Sequence, residues 1–250
     1  MSSIPPELPA SRSDPYSVEF FELQLRFAER VAGLSGVPFV EAVGCYTNLY
    51  VRLAMGQRLD ASNADWQRYL AGLLAAPEQA AWTQAIHLRR LHLHSGPTSA
   101  RTEGCFSYEI VGVDSIRLHF HAARAEAPLS AGSCRDRLSE LADLFAHLKT
   151  SSSDGVQVIG ASWLYNLDCY RRLFPERYLA SLHTIEHPYQ RMPLWGQFLR
   201  RDRTVRPEEG SRFLARVAQA ESLSDLARCF PLGVLTTTAP ASWFYEHLGL

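Results

Sequence analysis

The sequence predicts an α/β protein: a mixed sheet of about five or six strands flanked by helices, with a helical region on its N-terminal side. Three observations carry this. Over the first ~95 residues apolar side chains recur at helical spacing. After Ser95-Gly96-Pro97-Thr98-Ser99, which reads as a linker or long turn, strands begin to alternate with helices. The 250 residues, 46% of them apolar, suffice for one large domain or two small ones and exclude a wholly disordered chain. The expected divisions are a flexible leader over 1–16, a helical region over 17–95 and an α/β domain over 100–250.

The leader is rich in Pro and Ser and lacks the apolar stretch of a signal peptide. Asp14-Pro15 is a good helix start, with Phe20, Leu23, Phe27 and Val31 on one face. A second apolar segment runs from Phe39 to Met55 and stops at Gly56. Ser62-Asn63 can cap a third helix carrying Trp66, Tyr69, Leu70 and Leu73, and Pro77-Glu78 opens a fourth with Trp82, Ala85 and Ile86.

Phe106 to Val111 and Ser115 to His121 read as strands joined by a Gly112-Val113-Asp114 turn. The second alternates cleanly, with Ile116, Leu118 and Phe120 on one face and Arg117, His119 and His121 on the other. A loop from Ala122 to Gly132 leads into a helix with Ser133 as N-cap and Cys134, Leu138, Leu141, Phe145 and Leu148 as its buried stripe. Val156 to Ala161 suits a strand buried on both sides. A short helix ends at Phe174-Pro175, and Leu179 to His187 suggests another strand. Helices near Leu194 to Arg201 and from Pro207 to Ala220, a strand over Pro231 to Thr238 and a helix over Ala241 to Leu248 complete the chain.

Composition narrows the function. Five scattered cysteines with no C-x-x-C argue against thiolate zinc sites and redox motifs, and fit reduced, mostly buried thiols. The most apolar stretch, Val31 to Leu53, is broken by Pro38, Glu41 and Arg52, so no membrane span is expected. A cytoplasmic protein is the resulting expectation. Lys149 is the only lysine, so 24 of the 25 basic residues are arginine. The net charge of −1 hides a local balance of +5 between Arg171 and Arg216, with ten arginines against five acids. That is too modest for nucleic acid but enough to attract a phosphorylated cofactor or an acidic protein partner.

Three places carry candidate chemistry. His119 and His121 share a strand face with Arg117, spacing that a metal site can use, although two histidines are half a site and an arginine opposes a cation. A metal-dependent hydrolase on this pair is one alternative; a polar coat on a sheet face is the plain one. Gly160-Ala161-Ser162 is similar to a nucleophile elbow, but Leu164 stands where that turn needs glycine, so Ser162 is better read as a helix cap. The loop Ala127 to Arg135 runs into a helix N-terminus, where free N–H groups, Arg135 and Arg137 favour an anion; the plain reading is a capped helix start. The aromatic residues from Trp163 to Tyr170 read plainly as core, whereas Asn166 and Asp168 are polar groups just beyond a strand end, where cleft-lining groups collect.

Leu118-His119-Phe120-His121, Pro128-Leu129-Ser130, the helix Arg135 to Leu148 and Ser162-Trp163-Leu164 together resemble GNAT-like acyltransferase domains, in particular a bacterial GNAT-like variety, over residues 116–188. The resemblance implies acyl-CoA as cofactor, with Leu129, Ser130, Gly132, Ser133 and Arg135 around its pyrophosphate. It also implies His119 or His121 as base toward an acceptor amine, and Tyr170 as the acid protonating the leaving thiolate. Arg117, Ser162, Trp163, Tyr165 and Asn166 are the matching substrate-side residues. Tyr245-Glu246-His247-Leu248-Gly249 matches the family's tyrosine segment as well, and topology favours Tyr170. The loop departs from the family pattern, carrying Pro128 and a single glycine, Gly132. The rival from another class is a non-catalytic binding or assembly protein using the Arg- and aromatic-rich surface from Arg171 to Arg216.

Overall fold

A computed structural model describes residues 15–93, 100–121, 127–151, 155–185 and 194–250. The predicted leader to Asp14, the 95–99 linker and parts of the 122–132 loop and the 179–187 strand lie outside these residues. The chain begins with α1 (Val18–Ser35), whose Phe20, Leu23, Phe27 and Val31 are buried as their spacing demands. Ser17, not Asp14, occupies its N-cap, and Gly36 ends it in the left-handed conformation at φ 76°. The predicted second helix is two, α2 (Phe39–Tyr46) and α3 (Leu49–Arg52). The break falls at Thr47-Asn48, where the Asn48 N–H turns away to donate to Gln24 Oε1 at 2.9 Å. In α4 (Ala64–Ala75) Asn63 is the cap, its Oδ1 accepting from the Asp65 and Trp66 N–H groups. Helix α5 (Gln79–Arg90) follows.

The sheet has six described strands, β1 (Arg101–Glu103), β2 (Phe106–Gly112), β3 (Ser115–Phe120), β4 (Gln157–Ser162), β5 (His183–Thr184) and β6 (Leu235–Pro240), in the order β1-β2-β3-β4-β6-β5. Strand β1 was not expected, being only three residues long. The segment predicted as a strand from Leu179 is instead the end of α8 (Glu176–Ala180) followed by the two residues of β5. Strands β3 and β4 pair in parallel, whereas the other described pairs are antiparallel. Parallel neighbours need a crossover, here α6 (Cys134–Ser151). The remaining helices are α7 (Asp168–Arg171), α9 (Pro207–Gln219), α10 (Leu223–Ala227) and α11 (Ala241–Leu248). Leu194–Phe198 is a 3₁₀ helix.

Two cores form. One sits under α6 and α11, where Leu141, Phe145 and Phe244 meet Tyr108, Leu118, Val158 and Ala239 of the sheet. Phe145 and Phe244 stack at 4.4 Å. The other lies among α1–α5 and takes in Trp195, Phe198, Phe213 and Phe230. Phe27 of α1 meets Trp195 at 5.6 Å and Phe230 at 5.2 Å. Leu194 to Val234 leaves the sheet between β5 and β6 and packs with the N-terminal helices. An apolar helix stripe specifies burial without specifying the surface that buries it. Among the described residues no helix is long and apolar enough to cross a membrane. Cys45 is exposed, Cys134 and Cys169 are half-buried, and Cys105 and Cys229 are buried.

Candidate functional site

The parallel pairing of β3 with β4 is short. It covers Ser115 with Gln157, Ile116 with Val158 and Arg117 with Ile159, and then ends. Both strands continue, Leu118–Phe120 staying paired to β2 and Gly160–Ser162 to β6, so the sheet splits between them among the described residues. Along a strand, backbone groups alternate in direction. The Phe120 and Ala161 amide groups, two residues beyond Leu118 and Ile159, therefore face this gap. An extended ligand carrying amides can pair with such edges as an added strand would.

The mouth of the gap is the C-terminal end of β3, from which the chain leads into α6. Ser130 caps a 3₁₀ turn, Ala131–Ser133, that runs into α6, its hydroxyl accepting from the Ser133 N–H at 3.3 Å. The cap is thus three residues earlier than expected. Ser133 Oγ instead donates to the Ala127 carbonyl at 3.0 Å. Ala127 holds a strained φ of 45°. Ala131 and Gly132 begin the helical segment, so their N–H groups have no intrahelical acceptor. Arg135 is exposed and forms no ion pair among the described residues. A cation in the first turn of a helix opposes the dipole, and an anion placed there relieves it. Leu129 is a different matter: it is half-buried against the α6 core and acts as a hydrophobic peg.

On one side of the gap stands a polar cluster (Glu109, Arg117, His119, Ser107 and His121). Arg117 Nη1 donates to Glu109 Oε1 at 2.8 Å. His119 Nε2 lies 3.5 Å from the same oxygen, enclosed but without a hydrogen bond. Burial holds the His119 imidazole below the usual histidine range, with Glu109 pulling against this and Arg117 adding to it. The uncharged imidazole is thus the favoured form at neutral pH. His121 Nε2 and Ser107 Oγ are 2.7 Å apart. The two imidazoles, 6.5 Å apart, serve different partners. Among the described residues no three His, Cys, Asp or Glu side chains are placed to hold a metal ion, so the hydrolase reading on this pair finds no third ligand. Sequence reasoning missed Glu109; the hairpin register that puts it opposite Arg117 was its only signal.

Tyr170 lies on the other face. Its ring packs on Phe120 at 5.4 Å and on Tyr165 at 5.3 Å within the α6-side core. The structure does not bring it into contact with His119 or His121; the sheet lies between, and both flank the same end of β3. The substrate-side residues around β4 divide. Ser162 accepts from the Leu164 N–H as a cap, and Tyr165 is buried with its hydroxyl 2.6 Å from that of Tyr178. Asn166 Nδ2 ties the Trp163 and Gly233 carbonyls together, and Trp163 packs partly against the helical core. None of these four projects freely into the gap, because each side chain already serves the fold. Arg117 remains available, its side chain 45% exposed.

The arginine-rich segment from 171 to 216 is not one surface. Arg203 covers the Tyr16 ring, Arg206 donates to the Gln197 carbonyl, and Arg212 faces Glu208 and Glu209. A cavity of about 300 Å³ beside Arg212, Arg216 and Cys229 is lined by Glu209 as well, which cancels much of its charge.

Burial also raises the Tyr69, Tyr165, Tyr170 and Tyr178 phenols above their ordinary range. A folded pKa above the unfolded one stabilises the fold fully below pH ~10, and this contribution is lost as pH rises through the folded values. In an alkaline titration, four of the ten tyrosines are expected to ionise only as the protein unfolds. Phenolate absorbance followed alongside circular dichroism tests this; full ionisation before loss of ellipticity would refute it.

A scan of the chain against protein-family models finds no match, and searches of curated proteins and of solved structures find none either.

Proposed function

We propose that this chain is an acyltransferase-like protein of the GNAT-like kind, taking acyl-CoA and passing its acyl group to an amine. One observation carries the reading: the sheet splits between the parallel strands β3 and β4, and the crossover helix from that split presents free N–H groups and Arg135 at its start. A pyrophosphate suits the Ala131 and Gly132 N–H groups and Arg135. The amide-bearing arm joined to it suits the edges of Phe120 and Ala161, which are unpaired among the described residues. The thioester supplies an activated acyl group. His119, on the β2–β3 face, is the candidate base toward the amine, whereas Tyr170, buried on the other face, is not placed to serve the same acyl group as acid. The loop's single glycine is no obstacle on this geometry, because the two N–H groups concerned belong to Ala131 and Gly132.

Thermal shift with acetyl-CoA is expected to raise Tm, with desulfo-CoA doing the same and pantetheine much less. Arg135→Glu is expected to weaken binding by roughly tenfold, since a charge-assisted hydrogen bond becomes a repulsion. No shift with acetyl-, malonyl- or longer acyl-CoA at saturation would overturn the proposal.

A further inference from the structure

We propose that Glu109 is a positioning residue for His119: it holds the imidazole in the tautomer with the proton on Nε2, so that Nδ1 is the atom that meets the acceptor amine. The role toward an amine rests on the acyltransferase reading; the tautomer stands on the geometry of the free chain. His119 Nε2 is enclosed and without a hydrogen bond, and Glu109 Oε1 lies 3.5 Å from it. A lone pair on that nitrogen would face a carboxylate oxygen where no water screens the two, which is repulsive. An N–H there points its positive end at the oxygen, which is attractive even without a full hydrogen bond. A neutral imidazole carries one ring proton, so a proton on Nε2 leaves the lone pair on Nδ1. Nδ1 has no hydrogen bond among the described residues and is not one of the enclosed, unpartnered atoms, and the side chain is 32% exposed. The ring therefore turns its sealed nitrogen to Glu109 and its open one outward.

The carboxylate is itself held in place. Glu109 lies opposite Arg117 in the hairpin register, and Arg117 Nη1 donates to Oε1 at 2.8 Å. Arg117 and His119 are alternate residues of β3, so both reach the same oxygen from one face of the sheet. Among the described residues these are the charged groups that act on the ring, and they oppose each other: Glu109 of β2 favours the imidazolium and Arg117 of β3 disfavours it. His121, also on β3, has its ring centroid 6.5 Å away and its Nε2 2.7 Å from Ser107 Oγ. When Nδ1 accepts a proton from the amine nitrogen, the positive charge spreads to the Nε2–H and faces Glu109, which stabilises it. The proton then passes from Nδ1 to solvent.

The test is heteronuclear NMR of the imidazole nitrogens of the full chain without ligand, with His119 picked out among the nine histidines by its loss in His119→Gln. Above its titration His119 is expected as the Nε2–H form, with Nδ1 unprotonated. An unprotonated Nε2 would overturn the proposal. Glu109→Gln, which keeps the size and removes the charge, is expected to weaken proton binding by His119 about tenfold, and Arg117→Gln to strengthen it. A His119 titration unmoved by Glu109→Gln assigns Glu109 to packing alone and also overturns the proposal. If Glu109→Gln does not fold, the wild-type tautomer and the Arg117→Gln titration decide. The acyltransferase reading is decided apart from this, by thermal shift. The Nε2–H form in a chain that acyl-CoA does not shift supports the positioning role and removes that reading; the Nδ1–H form in a chain that acyl-CoA does shift does the reverse.

Discussion

Gly160→Ala is expected to cost about 3 kcal/mol and to lower Tm by roughly 6–12 °C. The reason is space. A Cβ on Gly160 would fall 2.1 Å from the Tyr178 hydroxyl and 2.2 Å from that of Tyr165. Those two hydroxyls are bonded to each other at 2.6 Å in a buried setting, so neither can withdraw without leaving the other unsatisfied. Both rings are locked by neighbours, Tyr165 against Phe174 at 5.6 Å and Tyr178 against Phe244 at 4.9 Å. The strain has to go into β4, which forms one wall of the gap. Gly33→Ala is the control: a Cβ there meets nothing within 4 Å, and alanine suits a helix. Thermal melts of the two variants decide the matter, and equal stability would show that the tyrosine pair yields easily.

Glu140→Leu is expected to be at least as damaging, about 3–5 kcal/mol, because it strands a buried cation. The Arg137 side chain is only 6% exposed, and its Nη2 bonds Glu140 Oε1. The other carboxylate oxygen accepts the Cys105 N–H at 2.9 Å. Among the described residues Arg137 Nε has no partner, so none of them compensates for loss of the carboxylate. This bridge pins the first turns of α6 to the turn between β1 and β2. Gly104 completes it with φ 51°, where a side chain would collide with the Glu140 carboxyl. Glu140→Gln should cost less, since it keeps an acceptor for Cys105. The double variant Arg137→Met with Glu140→Leu should recover most of the loss, because removing both charges removes the desolvation problem. Denaturant unfolding of the three variants measures this; a double variant no better than Glu140→Leu alone would refute it.

The legible parts of the molecule are those decided within a few residues. The alternation from Ile116 to His121 places His119 and Arg117 on one strand face, and the Asn63 cap marks the start of α4 within a turn. The switch from helical spacing to alternating strands marks the change of core. The candidate site was half legible: His119, Arg117, Gly132 and Arg135 were all singled out, whereas Glu109 was missed. Ser162, Tyr165 and Asn166 were proposed for substrate, and the fold uses them as a cap, a buried tyrosine pair and a loop tie. A polar group's choice between ligand and neighbour depends on what lies within hydrogen-bond reach, and for Asn166 the partner is Gly233, 67 residues away.

By itself, then, the sequence determined the α/β class, most helix and strand positions, the histidine face and the cation at the start of α6. These follow from periodicity and capping, which act over one or two turns or a few strand residues. Tertiary structure alone decided that Leu194 to Val234 returns to the N-terminal helices, that Tyr170 and His119 lie on opposite faces, and that β3 and β4 part after three paired residues. Each of these depends on which distant surface an apolar stripe or a strand edge meets. Burial free energy rewards contact area without specifying the partner, so that choice is made only when the whole chain packs.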